Sequence, residues 1–344
     1  MFFNDQFRVG KTKIGKNNKC FVIAEAGVSH FGSLKKAYKL IDIAVKANAD
    51  AIKFQLFKTE NLYSRIEGLK WFKRMKSREM SYENYEKLIN YSKKKNILLF
   101  STAHDEESLD FLIKTKQKFF KVGSGELYNW SFIEKIASLK LPVILSVGMY
   151  ELNDICKVVE IFKKKKNKNL AILYCTTAYP TSPNDIDLSY IKKIKEKFKL
   201  ISGYSDHTKG FHIPLLSLAY GAKIIEKHIS IDFNIRNAQD WRVSLNSNEL
   251  KIFVSQIRDV ERCLTIKKNK LSVSEKLNKQ WATKSIIYKN NLKKGEKIEL
   301  KDIIVKRPAG GLAPYNLRKI INKKVLKSVQ ADTFVKFSDF KLTK

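Results

Sequence analysis

Two lysines stand where lysine is least expected. Lys53, in Ala51-Ile52-Lys53-Phe54-Gln55, and Lys121, in Phe119-Phe120-Lys121-Val122, interrupt otherwise apolar runs. An ammonium taken out of water costs several kcal/mol unless an anion meets it, so each requires a negative partner. Gly123-Ser124-Gly125 follows the second lysine, and hydroxyls close other apolar runs: Ser101 and Thr102, Ser146, Thr176 and Thr177, and Ser205. Cations, hydroxyls and a glycine-rich turn together make a site for a phosphate, or for a phosphate plus a carboxylate. His207 and His228 end two further apolar runs. Two imidazoles on one divalent ion leave positions open for water and substrate, which is the pattern of a catalytic metal and not of a structural one. Glu25, Gln55, Glu126, Tyr179, Asp206, Glu226 and Lys227 also fall at run ends. His30 and His104 follow such runs and rank below the His207/His228 pair, and His212 is assigned to the next helix.

Residues so far apart in sequence can act together only if a fold gathers the ends of the apolar runs. Those runs cover residues 21–26, 51–55, 97–101, 119–122, 142–146, 170–175, 200–204 and 223–228. Amphipathic stretches separate them; in the first, Leu34, Ala37, Tyr38, Ile41, Ala44 and Val45 recur at helical spacing behind Ser33, a suitable N-cap. Alternation of short apolar strands with helices signals a parallel sheet wrapped by helices. Eight units predict a (β/α)8 TIM barrel, because open doubly wound sheets usually stop near five or six strands. Active-site residues in this architecture lie at the C-terminal ends of the strands, where the polar residues above fall. Ahead of the first strand, residues 7–13 and those from 19 onward flank Gly15-Lys16-Asn17-Asn18, predicting a hairpin that plugs the barrel floor. From about Trp281 the texture changes to short β-like runs at 285–288, 303–306 and 335–337, separated by turns. The expected organisation is a (β/α)8 barrel with its hairpin over 1–266, a polar linker over 267–280 and a small β-rich domain over 281–344.

Composition removes several classes. The chain has 344 residues, 44% hydrophobic and 29% charged, which suits ordinary globular domains and excludes wholesale disorder. Its 67 Lys+Arg against 34 Asp+Glu give a formal +33. Only 10 of those are Arg, and the lysines are spread along the whole chain, so the charge reads as compositional bias on solvated faces; no nucleic-acid partner is expected. The run 163–166 is assigned to a helix C-terminus favoured by the helix dipole. Cys20, Cys156, Cys175 and Cys263 show no metal spacing, and scattered cysteines suit a reducing, cytoplasmic compartment. Charge comes too early at the N-terminus for a signal peptide, and no apolar run approaches the roughly 18 residues of a membrane span.

Six of these segments carry a family resemblance. Ile23-Ala24-Glu25-Ala26-Gly27, Ile52-Lys53-Phe54-Gln55, Lys121-Val122-Gly123-Ser124-Gly125-Glu126, Ser146-Val147-Gly148-Met149, Tyr204-Ser205-Asp206-His207-Thr208 and Ile225-Glu226-Lys227-His228 resemble the sialic acid (nonulosonate) synthase family. Lys306-Arg307-Pro308 before Gly310-Gly311 resembles that family's C-terminal antifreeze-like (SAF) domain. The resemblance implies condensation of phosphoenolpyruvate with an N-acylated hexosamine, giving a nine-carbon 2-keto sugar acid and phosphate. It assigns phosphoenolpyruvate to Lys53, Thr102, Lys121, Ser124, Ser146, Thr177 and Ser205, and the sugar to Gln55, Tyr179, Asp240 and Arg307. Mn2+ or Mg2+ would sit on His207 and His228, with Glu25 and Glu126 as general acid and base. Arg307 would reach the partner's active site in a domain-swapped homodimer.

Departures from the family leave the acceptor open. Thr177 stands where the sialate branch has Asn. The stretch Arg236-Asn237-Ala238-Gln239-Asp240-Trp241 is one residue longer than the family's Arg…Gly-Pro-Asp. The long connection at 56–80, with Arg65, Trp71, Phe72, Arg74 and Arg78, is either a lid over the sugar or a decorated loop. Two other functions remain in view: a phosphoenolpyruvate aldol-type barrel taking a phosphorylated sugar, against which the SAF-like tail argues, and a non-catalytic basic protein binding polyanions.

Overall fold

Strand alternation builds the first half of the architecture. In the computed structural model, which describes residues 2–235, 238–265 and 270–341, eight parallel strands close into a barrel in chain order. Two antiparallel strands precede them, β1 (Gln6–Val9) and β2 (Thr12–Gly15). The barrel strands are β3 (Phe21–Gly27), β4 (Ala51–Leu56), β5 (Leu98–Ala103), β6 (Phe120–Val122), β7 (Val143–Ser146), β8 (Leu170–Cys175), β9 (Ile201–Asp206) and β10 (Ile224–His228). β10 pairs with both β9 and β3 and so closes the ring.

Successive side chains of a strand face opposite sides, so one set points into the barrel and the other toward the helices. Val22, Ala24, Ile52, Phe54, Leu145, Ile172 and Ile225 belong to the core shared with the helices. Phe21, Ile23, Phe100, Ile144, Leu173 and Ile224 form the interior cluster, joined by Phe7, Val9 and Ile14 of the hairpin. The hairpin therefore plugs the floor, as expected, although its turn is at Gly10-Lys11 and not at 15–18. Gly10 takes the left-handed conformation that a two-residue loop requires, and Gly15 pairs with Gln6 at the end of the ladder. Ser33 caps the helix Leu34–Lys46, its hydroxyl accepting the Lys36 N–H at 3.4 Å.

The chain splits into two compact units, Met1–Thr265 and Ile266–Lys344. In the second, β11 (Ser285–Tyr288) and β12 (Ile303–Lys306) pair antiparallel around a core of Ile286, Tyr288, Leu292, Ile298, Ile320, Val325 and Val335. The expected third run at 335–337 contributes only single bridges near it, such as Ile287 with Phe334. The segment expected as a linker forms the helix Val273–Ala282, started by a Ser272/Glu275 capping box; residues 267–269 lie outside the described residues. Among the described residues, no helix is long and apolar enough to cross a membrane.

Candidate active site

The same alternation that fills the floor with apolar side chains places a polar layer at the C-terminal rim. Counting by twos along the strands leads from Ile23 to Glu25, from Ala51 to Lys53 and Gln55, from Phe100 to Thr102, from Phe119 to Lys121, from Ile144 to Ser146, from Leu173 to Cys175 and from Ile224 to Glu226 and His228. All of these rim residues, with Ser124, Thr177, Tyr179, Ser205 and His207, line one cavity of about 140 Å³.

The two lysines lie inside the barrel and are neutralised by protein carboxylates. Lys53 Nζ is 3.2 Å from Glu25 Oε2 and 3.4 Å from Glu226 Oε2, and it donates to Thr102 Oγ1 at 3.3 Å. Lys121 Nζ donates to Ser146 Oγ at 2.7 Å and lies 3.8 Å from Glu226 Oε1. The Ser205 hydroxyl donates to Glu226 Oε1 at 3.0 Å, and Gln55 Nε2 to Glu25 Oε1 at 3.2 Å. Each ammonium therefore already has an anionic neighbour before any substrate arrives, and Glu226 bridges both.

Burial and charge set the four groups apart. Burial raises the Glu25 carboxyl to about 7, with Lys53 pulling the other way. Glu226 is equally buried, but Lys121 and Lys53 overcome that penalty and hold it below the ordinary carboxylate range. Burial lowers Lys121 to about 8 despite Glu226. Lys53 is also penalised by burial, yet Glu226 and Glu25 outweigh this and raise it. A carboxyl poised near neutrality beside a firmly ionised one is how a site divides proton transfer from charge stabilisation.

The imidazoles stand together in the same cavity. His207 and His228 have ring centroids 5.3 Å apart, with the Tyr179 ring 4.1 Å from His207 and tilted by 34°. His207 Nδ1 lies 2.8 Å from the Thr176 carbonyl oxygen; donating there fixes the tautomer of the neutral ring, whose lone pair is then on Nε2. His228 Nδ1 is buried without a hydrogen-bond partner, and burial with the charge of His207 holds the ring well below its ordinary pKa, hence neutral. Burial opposes charge on the His207 ring, but Cys175, the Thr176 carbonyl and Asp206 outweigh it and raise the ring's pKa, so its Nε2 gives up a proton when a divalent ion is shared with His228. Among the described residues, no cluster of three or more His, Cys, Asp or Glu is arranged as a metal cage, so such an ion would keep open positions.

Not every expected residue joins the cavity. Glu126 lies in the turn Ser124–Glu126, its Oε2 accepting from Asn129 Nδ2 at 2.7 Å and its Oε1 3.9 Å from Nδ1 of His104, which lines the cavity. Asp240 lines a small neighbouring pocket with Ser29 and Arg78; burial raises its carboxyl while Arg78 and His207 oppose the rise. Arg236 and Asn237 of the same loop lie outside the described residues. Arg307 belongs to the second unit, its guanidinium 5.4 Å from the Trp281 ring centroid beside a cavity of about 660 Å³. His104, ranked in the sequence below the His207/His228 pair, and Glu226, noted there only as a strand-end residue, line this cavity, as does Cys175, which the sequence did not single out for it. The available signal for Glu226 was its position two residues before His228 on one strand face. Lys227, between them, points outward and is buried against Asp206 at 2.5 Å.

Gly148 packs closely against two of the rim hydroxyls. A Cβ there would lie 2.3 Å from Thr177 Oγ1 and 2.9 Å from Ser124 Oγ, and its N–H donates to that same Ser124 oxygen at 2.9 Å. Gly148→Ala is expected to raise KM for an anionic substrate about tenfold or more, with kcat less affected. Steady-state kinetics check this, and unchanged KM would show that the two hydroxyls do not hold the anion.

Known proteins match the chain along nearly its whole length. The NeuB family model covers residues 40–269 and the SAF domain model residues 283–341. An N,N'-diacetyllegionaminic acid synthase of Campylobacter jejuni is 36% identical over 92% of this chain and 99% of its own. A pseudaminic acid synthase of the same species is 35% identical over 94% and 98%. Among solved structures, the N-acetylneuraminic acid (sialic acid) synthetase of Leptospira borgpetersenii superposes with a TM-score of 0.74 at 37% identity, over 79% of this chain and 94% of that one. A closed barrel with a cationic, hydroxyl-lined rim, a SAF domain after it in sequence and synthase relatives matched over nearly the whole chain place this chain in the NeuB family of sialic acid synthase-like enzymes.

Proposed function

We propose that this chain condenses phosphoenolpyruvate with an N-acylated hexosamine to a nine-carbon 2-keto sugar acid, releasing phosphate. The observation that carries the reading is the pair of buried ammonium groups, Lys53 and Lys121, converging on one cavity edged by hydroxyls. Phosphoenolpyruvate presents a phosphate and a carboxylate. Lys53, Lys121, Thr102, Ser124, Ser146, Thr177 and Ser205 hold these by charge-assisted hydrogen bonds and fix the enol carbon against the acceptor. His207 and His228 would hold Mn2+ or Mg2+, which supplies Lewis-acid polarisation of the open-chain sugar aldehyde. As C3 of the enol attacks the aldehyde carbon, C2 becomes electron-poor and Glu226 with Glu25 stabilises it. Water adds at C2, Glu25 takes its proton and passes it to the alkoxide formed from the aldehyde, and the C2–O bond to phosphate then breaks, the C2 hydroxyl proton leaving with the phosphate to give the ketone. Glu126, outside the cavity, acts at most through His104. Gln55 and Tyr179 border the acceptor side, with Asp240 adjacent.

The acceptor is chosen by loops and not by the barrel rim. Relatives of nearly equal identity are named for different products, and the neighbourhood of Thr177, Asp240 and Arg78 is where this chain departs from the sialate pattern. Phosphate release on mixing protein, metal ion, phosphoenolpyruvate and a panel of N-acyl hexosamines tests the reading. Release with at least one sugar is expected; silence with all of them would overturn it. Preference for phosphorylated sugars in the same assay would transfer the site to the sugar-phosphate reading.

Metal dependence follows from the imidazole pair. Chelator-treated protein is expected to lose turnover and regain it with Mn2+ or Mg2+, and His228→Ala to lose stoichiometric metal by elemental analysis. We further infer a domain-swapped homodimer in the cytosol, in keeping with four free cysteines and with the exposed stripe Val273, Leu277 and Trp281 on one helix. Arg307→Ala is then expected to cost about tenfold to a hundredfold in kcat/KM for the sugar at unchanged melting temperature. A monomer by sedimentation with full activity would remove this part of the reading.

A further inference from the structure

At the end of the barrel opposite the catalytic rim, a second cavity of about 390 Å³ opens beside the floor hairpin. Four lysines line it: Lys16 from the turn after β2, Lys195 and Lys199 from the end of the helix Ser189–Phe198, and Lys223 from the connection into β10, whose ammonium also donates to the Asn18 carbonyl oxygen at 3.1 Å. Among the described residues, none of the four has a carboxylate within ion-pair distance, whereas Lys192 and Lys193 of the same helix pair with Glu196 and Asp187. Asp5 is the one acidic residue among the described lining residues. A helix C-terminus by itself favours Lys195 and Lys199, but not the arrival of Lys16 and Lys223 from other elements. The Lys195 ammonium leans over the chain at Gly221, where a Cβ would lie 3.6 Å from Nζ.

An independent observation comes from β9. Ser202 lines this cavity, is 1% exposed, and its hydroxyl has no hydrogen-bond partner. A buried hydroxyl left unpaired is destabilising, and an acceptor atom in the cavity would satisfy it. Like charges around one concavity likewise call for an anion. The volume is that of a small organic ligand, in the range of about 300–1,000 Å³, and not that of a bare oxyanion. Leu200 and Ile201 supply an apolar wall beside the cations.

We propose that this floor cavity is a second, non-catalytic binding site for an organic phosphate: a phosphate monoester with an apolar or aromatic body, held by the four lysines and the Ser202 hydroxyl. The site stands apart from the catalytic rim and does not depend on the condensation proposed above.

Hydrogen–deuterium exchange of the full chain, read by mass spectrometry, separates the two ends of the barrel. Adenosine monophosphate and inorganic phosphate serve as probes. At ten times its dissociation constant, adenosine monophosphate is expected to slow exchange about tenfold in peptides covering residues 195–204 and 219–224. Lys195→Glu with Lys199→Glu, both on exposed positions, is expected to abolish that slowing while melting temperature and phosphate release match the parent. Ser202→Ala, which removes the hydroxyl alone, is expected to weaken binding about fivefold. No slowing at these peptides with either probe, or slowing that persists in the double variant, would overturn the site. Equal protection by inorganic phosphate would overturn the organic body.

Discussion

Glu226→Gln is expected to lower the melting temperature by about 6–20 °C, and phosphoenolpyruvate is expected to restore more of it than it adds to the parent protein. Glu226 is the carboxylate within reach of both Lys53 and Lys121, and its own lowered pKa records how strongly they hold it. Removing one partner of a buried ion pair leaves an uncompensated charge, typically about 3–5 kcal/mol; at about 2–4 °C per kcal/mol for a domain of this size, the shift follows. Gln keeps the shape and the hydrogen bond from Ser205, so packing changes little. A bound dianion then supplies the missing charge, and its stabilisation adds to the folded state by mass action. Thermal melts with and without phosphoenolpyruvate read both effects. Equal stability of the two proteins, or equal gain from the ligand, would show that the lysines are not held by Glu226.

Glu25→Gln is expected to lower kcat by about 10²–10⁴, the range for a lost general base, with substrate binding retained. Burial raises the Glu25 carboxyl to about 7, so the parent is half-ionised near neutral pH. The carboxylate form accepts the proton from water, hence activity rises with pH through a midpoint of about 7. Gln cannot ionise, so the variant's residual activity should lack that limb. Lys121, lowered to about 8, sets the opposite limb: above that pH the ammonium is lost and affinity for the anion falls, in both proteins. A pH–rate profile of the variant that still rises through 7 would assign the base elsewhere.

The two predictions show where sequence reasoning reached and where it stopped. Lys53 and Lys121 were legible because a charge inside an apolar run has few explanations. Their neutralisation was not, because Glu226 sits on β10, which comes beside β3 and its neighbour β4 only when the barrel closes. The hydroxyls and the imidazole pair were legible as strand-end residues for the same reason as the lysines. Glu126 looked equivalent to Glu25, but a short turn after β6 rotates its carboxylate onto Asn129 and away from the cavity. The floor cavity had no sequence signal, since it joins a hairpin turn, a helix end and a strand connection, each carrying ordinary surface lysines.

By itself, the order of residues determined the eight alternating units, the twofold periodicity that sends apolar side chains to the floor and polar ones to the rim, and the types of group available for chemistry. Those are local properties: a strand's alternation needs only its own backbone. Which carboxylate faces which ammonium, that the two imidazoles stand 5.3 Å apart with one tautomer fixed by a carbonyl, and which glutamate enters the cavity were decided only by tertiary structure. Register between neighbouring strands and closure of the ring set those distances, and neither is encoded within any single strand.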